Sequence, residues 1–429
     1  MQNDAAMPEH VVSMGLHATL DPGSLNVVVA GELSGTPFID VHTHLFMPSL
    51  EALGLWGIDE LLTYHYLEAE IFRCGVVSPS EYWELSKQER AGLIWKTLFI
   101  ERAPISEAAR GVVAVLQSFG LSVQRDGLGE ARHFFAAQDL RTHLGRVLSL
   151  AGVNRVVMTN DPLDPREAPL WERGVERDER FLPVLRLDRI LNGWAEHYGV
   201  IAAKGYAVDA DAKGRSAQEV RRFLADWYSR MSPVYMAVSL PDTFAYPDGG
   251  VRGRLLKQAI LPACREFGMP LSLMIGVRRQ VNPALRLAGD GVGRADLSAL
   301  ERICAENPDN RFLVSALSRE NQHELCVYAR KFGNLMPFGC WWFLNTPSMV
   351  EEITRERLEM LGSSFIPQHS DARVLEQLIY KWRNTRRTIA PILAESFRLL
   401  AEDGRGVTRA DIRGVVTQLF RGNFERFVS

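Results

Sequence analysis

The stretch FIDVHTHL, residues 38–45, ends a short apolar run with two histidines, His42 and His44, two positions apart. In an extended strand residues i and i+2 point to the same side, so both imidazoles face one point in space. Seven more runs of this kind follow: RVVMTND (155–161), FLPVLRLD (181–188), VYMAVSLP (234–241), PLSLMIGVRR (270–279), RFLVSALS (311–318), LMPFGCWWF (335–343) and SFIPQHSD (364–371). Their near-continuous apolar character suits parallel strands buried on both faces. Between the later runs lie stretches of helical periodicity, among them VRGRLLKQAILPACREFG (251–268), NQHELCVYARKFGN (321–334) and SMVEEITRERLEMLG (348–362). Strand, helix, strand repeated over eight runs reads as an α/β fold, a (β/α)8 TIM-like barrel. An open doubly wound sheet is the structural rival, but no GxGxxG follows the first run.

The gap between the first two runs is too long for one connection and carries helical patterns such as GIDELLTYHYLEAEIFRCG (57–75). The expected organisation is therefore an N-terminal extension over 1–37, a barrel over 38–45 and 151–429, and a helical subdomain, 46–150, inserted over the mouth. Extra C-terminal helices follow the eighth run: residues 372–404 as one long helix or a broken pair, then TRADIRGVVTQLFRGNFERFV (408–428) behind a Thr cap.

A chain of 429 residues, 46% hydrophobic and 24% charged, can bury a large core. A net charge of −3 without long Lys/Arg runs speaks against nucleic acid and for a small-molecule partner. Cys74, Cys264, Cys304, Cys326 and Cys340 are odd in number and lack CxxC spacing, which fits a reduced, cytoplasmic protein. No secretory leader is read at the N-terminus, and no apolar run reaches the roughly 18–20 residues of a membrane span.

Barrel enzymes work at the C-terminal ends of their strands, so the residues ending each run belong together. Run one ends in His42 and His44, run two in Asn160 and Asp161, run three in Arg186 and Asp188. Run five ends in Arg278 and Arg279, run seven in Trp341 and Trp342, and run eight in His369, Asp371 and then Arg373. Two imidazoles and a carboxylate at one mouth supply three ligands to a divalent cation and leave positions open, which makes His42, His44 and Asp371 the ligand set. Zinc suits these donors best, with manganese or cobalt as alternatives. Hydrogen-bonded strand-end histidines are the bland reading of HxH alone. Arg186, Arg279 and Arg373 point to an anionic substrate, a carboxylate rather than a nucleotide because no GxxxxGK[ST] cradle is present. For any one of these arginines, an internal pair with Asp188, Asp161 or a helix carboxylate is the plainer alternative. His65 and Tyr66, in LLTYHYLEAE (61–70), read by periodicity alone as helix packing. Of Trp341 and Trp342 only one can face the mouth.

DVHTHL, TNDP, GCWWF and HSDAR, in this order at these strand ends, resemble the uronate isomerase (glucuronate isomerase) family of the amidohydrolase superfamily, in a divergent branch. The likeness runs from about Phe38 to the C-terminal RGNFERFV. It implies an aldose-ketose isomerase of sugar-acid catabolism that interconverts D-glucuronate with D-fructuronate and D-galacturonate with D-tagaturonate. It also implies a cytoplasmic enzyme with one divalent cation on His42, His44 and Asp371, acting on a small uronate with neither nucleic acid nor membrane as partner. A homo-oligomer is left open. Carried over by position, Asp371, Tyr66, His65 and Arg373 are catalytic, and Arg186, Arg279 and Trp341 bind substrate. The chain departs from the family where Met274 replaces a histidine and YHYLE replaces DHYKW. Run four ends in Ser239, Leu240 and Pro241 without the lysine of two-metal hydrolases. A metal-dependent hydrolase or decarboxylase of a small carboxylate on the same barrel is the rival reading. Three ligands leave one cation little room to grip O1 and O2, which favours proton transfer through an enediol over a hydride shift.

Overall fold

Seven of the eight runs carry hydrogen-bonded strands in the computed structural model, which describes residues 15–124 and 127–429. The first 14 residues, and with them part of the expected N-terminal extension, lie outside the described residues. Strands β1 (Phe38–Thr43), β2 (Val153–Met158) and β3 (Phe181–Leu182) pair in parallel. So do β4 (Leu185–Arg186), β5 (Met236–Pro241), β6 (Leu271–Arg278), β8 (Phe312–Ala316) and β9 (Leu335–Pro337). Run three is split into β3 and β4 at Pro183, which has no N–H to give to a ladder. It still joins the two sheets, because Asn160 N–H donates to Val184 O and Arg186 N–H to Asn160 O.

The eighth run departs from expectation. It is not a strand, and it pairs with run seven through one parallel bridge, Phe338 to Ile366. The cause lies in the backbone: Pro367, next to the bridge, has no N–H to extend the ladder, and at the run's end Asp371 sits at φ 54°, a left-handed conformation. Hydrogen bonds nevertheless carry the ring past it. Ile366 N–H donates to Pro337 O, Asp371 N–H to His42 O at 3.2 Å, and His44 N–H to Ala372 O at 2.7 Å. First and last runs thus meet at a seam. A short β7 (Gly291–Val292), antiparallel to β6, has no counterpart among the eight runs.

Strand pleating sorts the core into two layers. Ile39, Val41, Ala237, Met274, Phe338 and Ile366 fill the inside of the ring. Their neighbours Phe38, Met236, Val238 and Leu273 pack outward against the helices. Between β1 and β2 lie helices Ile58–Leu62, His65–Cys74, Pro79–Glu84, Lys87–Ile94, Glu107–Ser118, Gly127–Ala136 and Leu140–Ala151. The pattern read over 57–75 breaks between the first two of these, at Thr63 and Tyr64. Ser78 and Ser86 each cap a helix in a reciprocal box with the glutamate three residues on. After the seam, Gln377–Glu402 is one helix with Pro391 inside it rather than a broken pair. Thr408 caps the last helical stretch together with Asp411. The long helix packs on Leu25–Gly35, Glu107–Ser118, Leu140–Ala151 and Pro347–Leu361, tying both chain ends to the helices that follow β1. Among the described residues all five cysteines are free thiols, and no helix is long and apolar enough to cross a membrane.

Candidate active site

Asp40, buried in β1, fastens the seam. Its Oδ1 accepts from Ser370 N–H at 3.0 Å and its Oδ2 from the Trp382 indole at 2.8 Å. Burial pushes its carboxyl up to about 6, against the pull of these hydrogen bonds. Two residues further on, His42 Nε2 stands 3.6 Å and His44 Nε2 3.3 Å from Asp371 Oδ1. One donor atom from each of the three lies within 4.8 Å of the others, so the group can hold a metal ion.

The hydrogen bonds of His44 fix its protonation. Thr159 gives its one hydroxyl hydrogen to Thr43 O at 2.9 Å, so toward His44 Nδ1, also at 2.9 Å, it can only accept. The proton therefore sits on Nδ1, and Nε2 presents its lone pair to the centre. Burial holds both imidazoles well below their ordinary range, helped by the His369 charge at His42 and the Arg373 charge at His44. Both rings are neutral, as ligation requires. The donor set fits a divalent cation.

The arginines divide. Arg186, at the end of β4, gives Nε and Nη2 to Asp188 at 2.9 and 3.1 Å. Burial pulls its guanidinium down, but Asp188, Asp161 and Asp371 more than offset this and leave it raised. Nη1 remains for an anion. Arg279 donates to buried Asp290 at 2.6 Å and lies 5.9 Å over the Trp342 ring. Arg278 is half exposed and pairs with Asp242. Arg373 has no hydrogen bond or ion pair to its guanidinium among the described residues, and its charge reaches His44, His65 and Tyr64. The internal pairing foreseen as the plainer alternative is thus present at Arg186 and Arg279, and does not use up Arg186.

His65 and Tyr66 open the helix His65–Cys74 and do face this centre. Burial and the charges of Arg373 and Lys381 push His65 down to about 3, and its Nε2 is buried without a partner. Burial, then Tyr64 and Asp371, raise Tyr66 well above its ordinary range, so its phenol stays a proton donor. Lys381 Nζ sits 5.5 Å over the Tyr66 ring, held by Glu107 at 3.1 Å and Asn345 O at 3.3 Å. Trp341 is buried in the inner layer with Phe338 and Met274. Trp342, at φ 47°, turns toward the mouth, 5.8 Å from the His65 ring, with its Nε1 buried and unpartnered. Strand alternation cannot sort this pair, since β9 ends at Pro337 before either tryptophan.

The structure brings two further groups here that no sequence motif marks, Tyr64 and Lys381, together with His369, which the sequence places at the end of run eight without a role. A lysine amid the apolar LIYKW (378–382) is the one signal that could have marked Lys381. Buried polar atoms without partners cluster at the centre, on His42, His65, Trp342, His369 and Asp371. Such atoms are costly unless something bonds them, so the arrangement suits a polar ligand.

A parallel α/β ring with this His-His-Asp group at its seam and arginines at its mouth has the form of a barrel enzyme whose strand-end donors could hold a metal ion. Within that class the likeness is specific: a uronate isomerase from Bacillus halodurans is 48% identical over 96% of this chain and 97% of its own, with a TM-score of 0.94. The chain belongs to the uronate isomerase family. A uronate isomerase from Thermotoga maritima (18% identity, 96% of this chain and 100% of that one, TM-score 0.76) shares the fold. So does a glucuronate isomerase from Caulobacter crescentus (14%, 97% and 96%, 0.75). No family profile and no curated protein matches the chain.

Proposed function

We propose that this enzyme interconverts an aldose and a ketose sugar acid, D-glucuronate with D-fructuronate and D-galacturonate with D-tagaturonate. The observation that carries the reading is the meeting of His42, His44 and Asp371 across the seam, beside an arginine with a donor to spare, in a member of this family. His42, His44 and Asp371 would hold one divalent cation, zinc by the chemistry of the donors. Such an ion would supply positive charge for an anionic sugar acid and would lower the proton affinity of a hydroxyl brought to it.

The protein's own groups then divide the work. Arg186 Nη1 pairs with the substrate carboxylate, and Arg279 with the Trp342 ring beneath it completes the binding wall, in place of Trp341, which is buried in the inner layer. Asp371 takes the C2 proton, and the electron pair left behind forms the C1–C2 double bond while the aldehyde oxygen gains a proton from the Tyr66 phenol. That gives the enediol. Reversal at the other carbon passes the O2 proton to the Tyr66 oxygen and returns the one on Asp371 to C1. Tyr66, a phenol kept protonated, and Arg373 steady the negative charge on O1 and O2, with His65 orienting Tyr66. Residues 46–150 act as an inserted subdomain that keeps water from this chemistry. No lysine ends run four, which disfavours a two-metal hydrolytic site, and the likeness to a uronate isomerase weighs against the hydrolase or decarboxylase reading.

Incubation with D-glucuronate and with D-galacturonate, followed by NMR, tests the activity: the ketose must appear at constant mass, and release of CO2 or uptake of water would overturn it. Run to equilibrium in D2O, the reaction also tests the route. Deuterium at C1 of the ketose or C2 of the re-formed aldose is expected; none after long incubation contradicts the roles of Asp371 and Tyr66.

A further inference from the structure

His369 is fully buried, and neither of its ring nitrogens has a partner among the described residues. Its place is made deliberately. Gly339, at φ 67°, lies so close that a Cβ there would stand 1.9 Å from the His369 Cδ2 and 2.4 Å from its Nε2. The Gln368 Oε1 accepts from His369 N–H at 3.1 Å and from Cys340 N–H at 2.9 Å, which pins the backbone on both sides. The ring leans on Phe338, centroids 5.4 Å apart, and on His42, 5.1 Å apart at 63°. A leucine would fill such a site without leaving polar atoms unpaired. An imidazole here needs something to bond.

His42 needs something too. For Nε2 to offer its lone pair toward Asp371, the proton must sit on Nδ1, and that atom is buried with no acceptor. His44 shows how the same need is met, its Nδ1 proton going to Thr159. Ligating histidines almost always donate their second ring nitrogen to a carboxylate, a carbonyl or a water. We propose that His369 does for His42 what Thr159 does for His44: one buried water between the two rings accepts the His42 Nδ1 proton and bonds a His369 nitrogen, fixing the tautomer that presents Nε2 to the cation. A water needs two or more polar partners to stay in a buried place, and these rings provide them. His369 is thus a positioning residue for the metal centre. The inference rests on His42 being a metal ligand.

The test measures zinc affinity by competition with a chromophoric chelator, independently of turnover. His369→Leu should weaken zinc binding about 10- to 100-fold, the usual effect of losing such support. His369→Gln, whose amide can keep the water, should stay within a few-fold of the unaltered protein. Equal affinity in the Leu variant overturns the proposal, and so does a Gln variant as weak as Leu, since the loss then reflects packing. Should His369→Leu fail to fold, His369→Phe, whose ring packs on Phe338, takes its place with the same two readings. His42→Ala in the same assay separates the premises. Zinc retained there removes His42 as a ligand, whereas zinc lost there but held by the Leu variant defeats only the role of His369.

Discussion

At the seam, side chains are aimed by backbone that is itself hydrogen-bonded across the join: His44 N–H to Ala372 O, Asp371 N–H to His42 O, Ser370 N–H to Asp40. Across the mouth, His65 and Tyr66 are held by rings and by the Lys381 cation, which Glu107 anchors from another helix. The first set is fixed by backbone hydrogen bonds across the seam, while the second depends on how a helix docks. Removing a seam group should therefore delete a chemical step and leave its neighbours in place. Removing a group on the docked side should blur geometry and cost less.

The contrast breaks first at its strongest point. His42→Ala with His44→Ala should leave a folded protein without bound metal and without activity, as metal analysis and circular dichroism would report. Asp371→Asn, with whatever metal it retains, should lower kcat on the order of 10³- to 10⁴-fold, the upper part of the span of a lost general base. Near-normal turnover in a metal-containing Asn variant would take the base away from the seam. Tyr66→Phe should fall between, roughly 10²-fold in kcat, because Arg373 still faces the same charge. Arg186→Met should act mainly through KM, raised about 10- to 100-fold by loss of a charge-assisted pair. Arg278→Ala, next to Arg279 but half exposed and turned away to Asp242, should change kcat/KM by no more than about two-fold, as the loss of a partly exposed pair away from the centre usually does.

Much of this was legible in the sequence where period and position coincide. Residues i and i+2 at the end of a strand share a side whatever surrounds them, so His42 and His44 could be paired by eye, and the last run's aspartate added to them. What resisted reading follows from backbone that leaves the strand. The left-handed turn at Asp371 ends the eighth run as a bridge, and Trp342 turns to the mouth after β9 has ended. A two-residue strand such as β7 leaves no periodic trace. His65 and Tyr66 were hidden for another reason. On a helix that also buries Leu67 and Ile71, packing explains the pattern in full, and the family resemblance alone singled them out. His369 could be placed at the end of the eighth run, but its contact with His42, like that of Lys381 with Tyr66, could not, because proximity between distant segments is not written in either segment.

The seam has a thermodynamic side as well. It joins groups 330 residues apart in the chain, the longest loop this ring has to close. Closure entropy grows only with the logarithm of loop length, yet it must be met before any contact at the join repays it. His42 and His44 stand on one side of that join and Asp371 on the other, so any cation they hold together binds the closed ring and not the open one. At a concentration 100 times its Kd, such a ligand favours the closed form by about 2.7 kcal/mol. The centre proposed for the chemistry would then also be the rivet of the barrel, and the amide protons of His44 and Asp371 should exchange more slowly when a metal is in place.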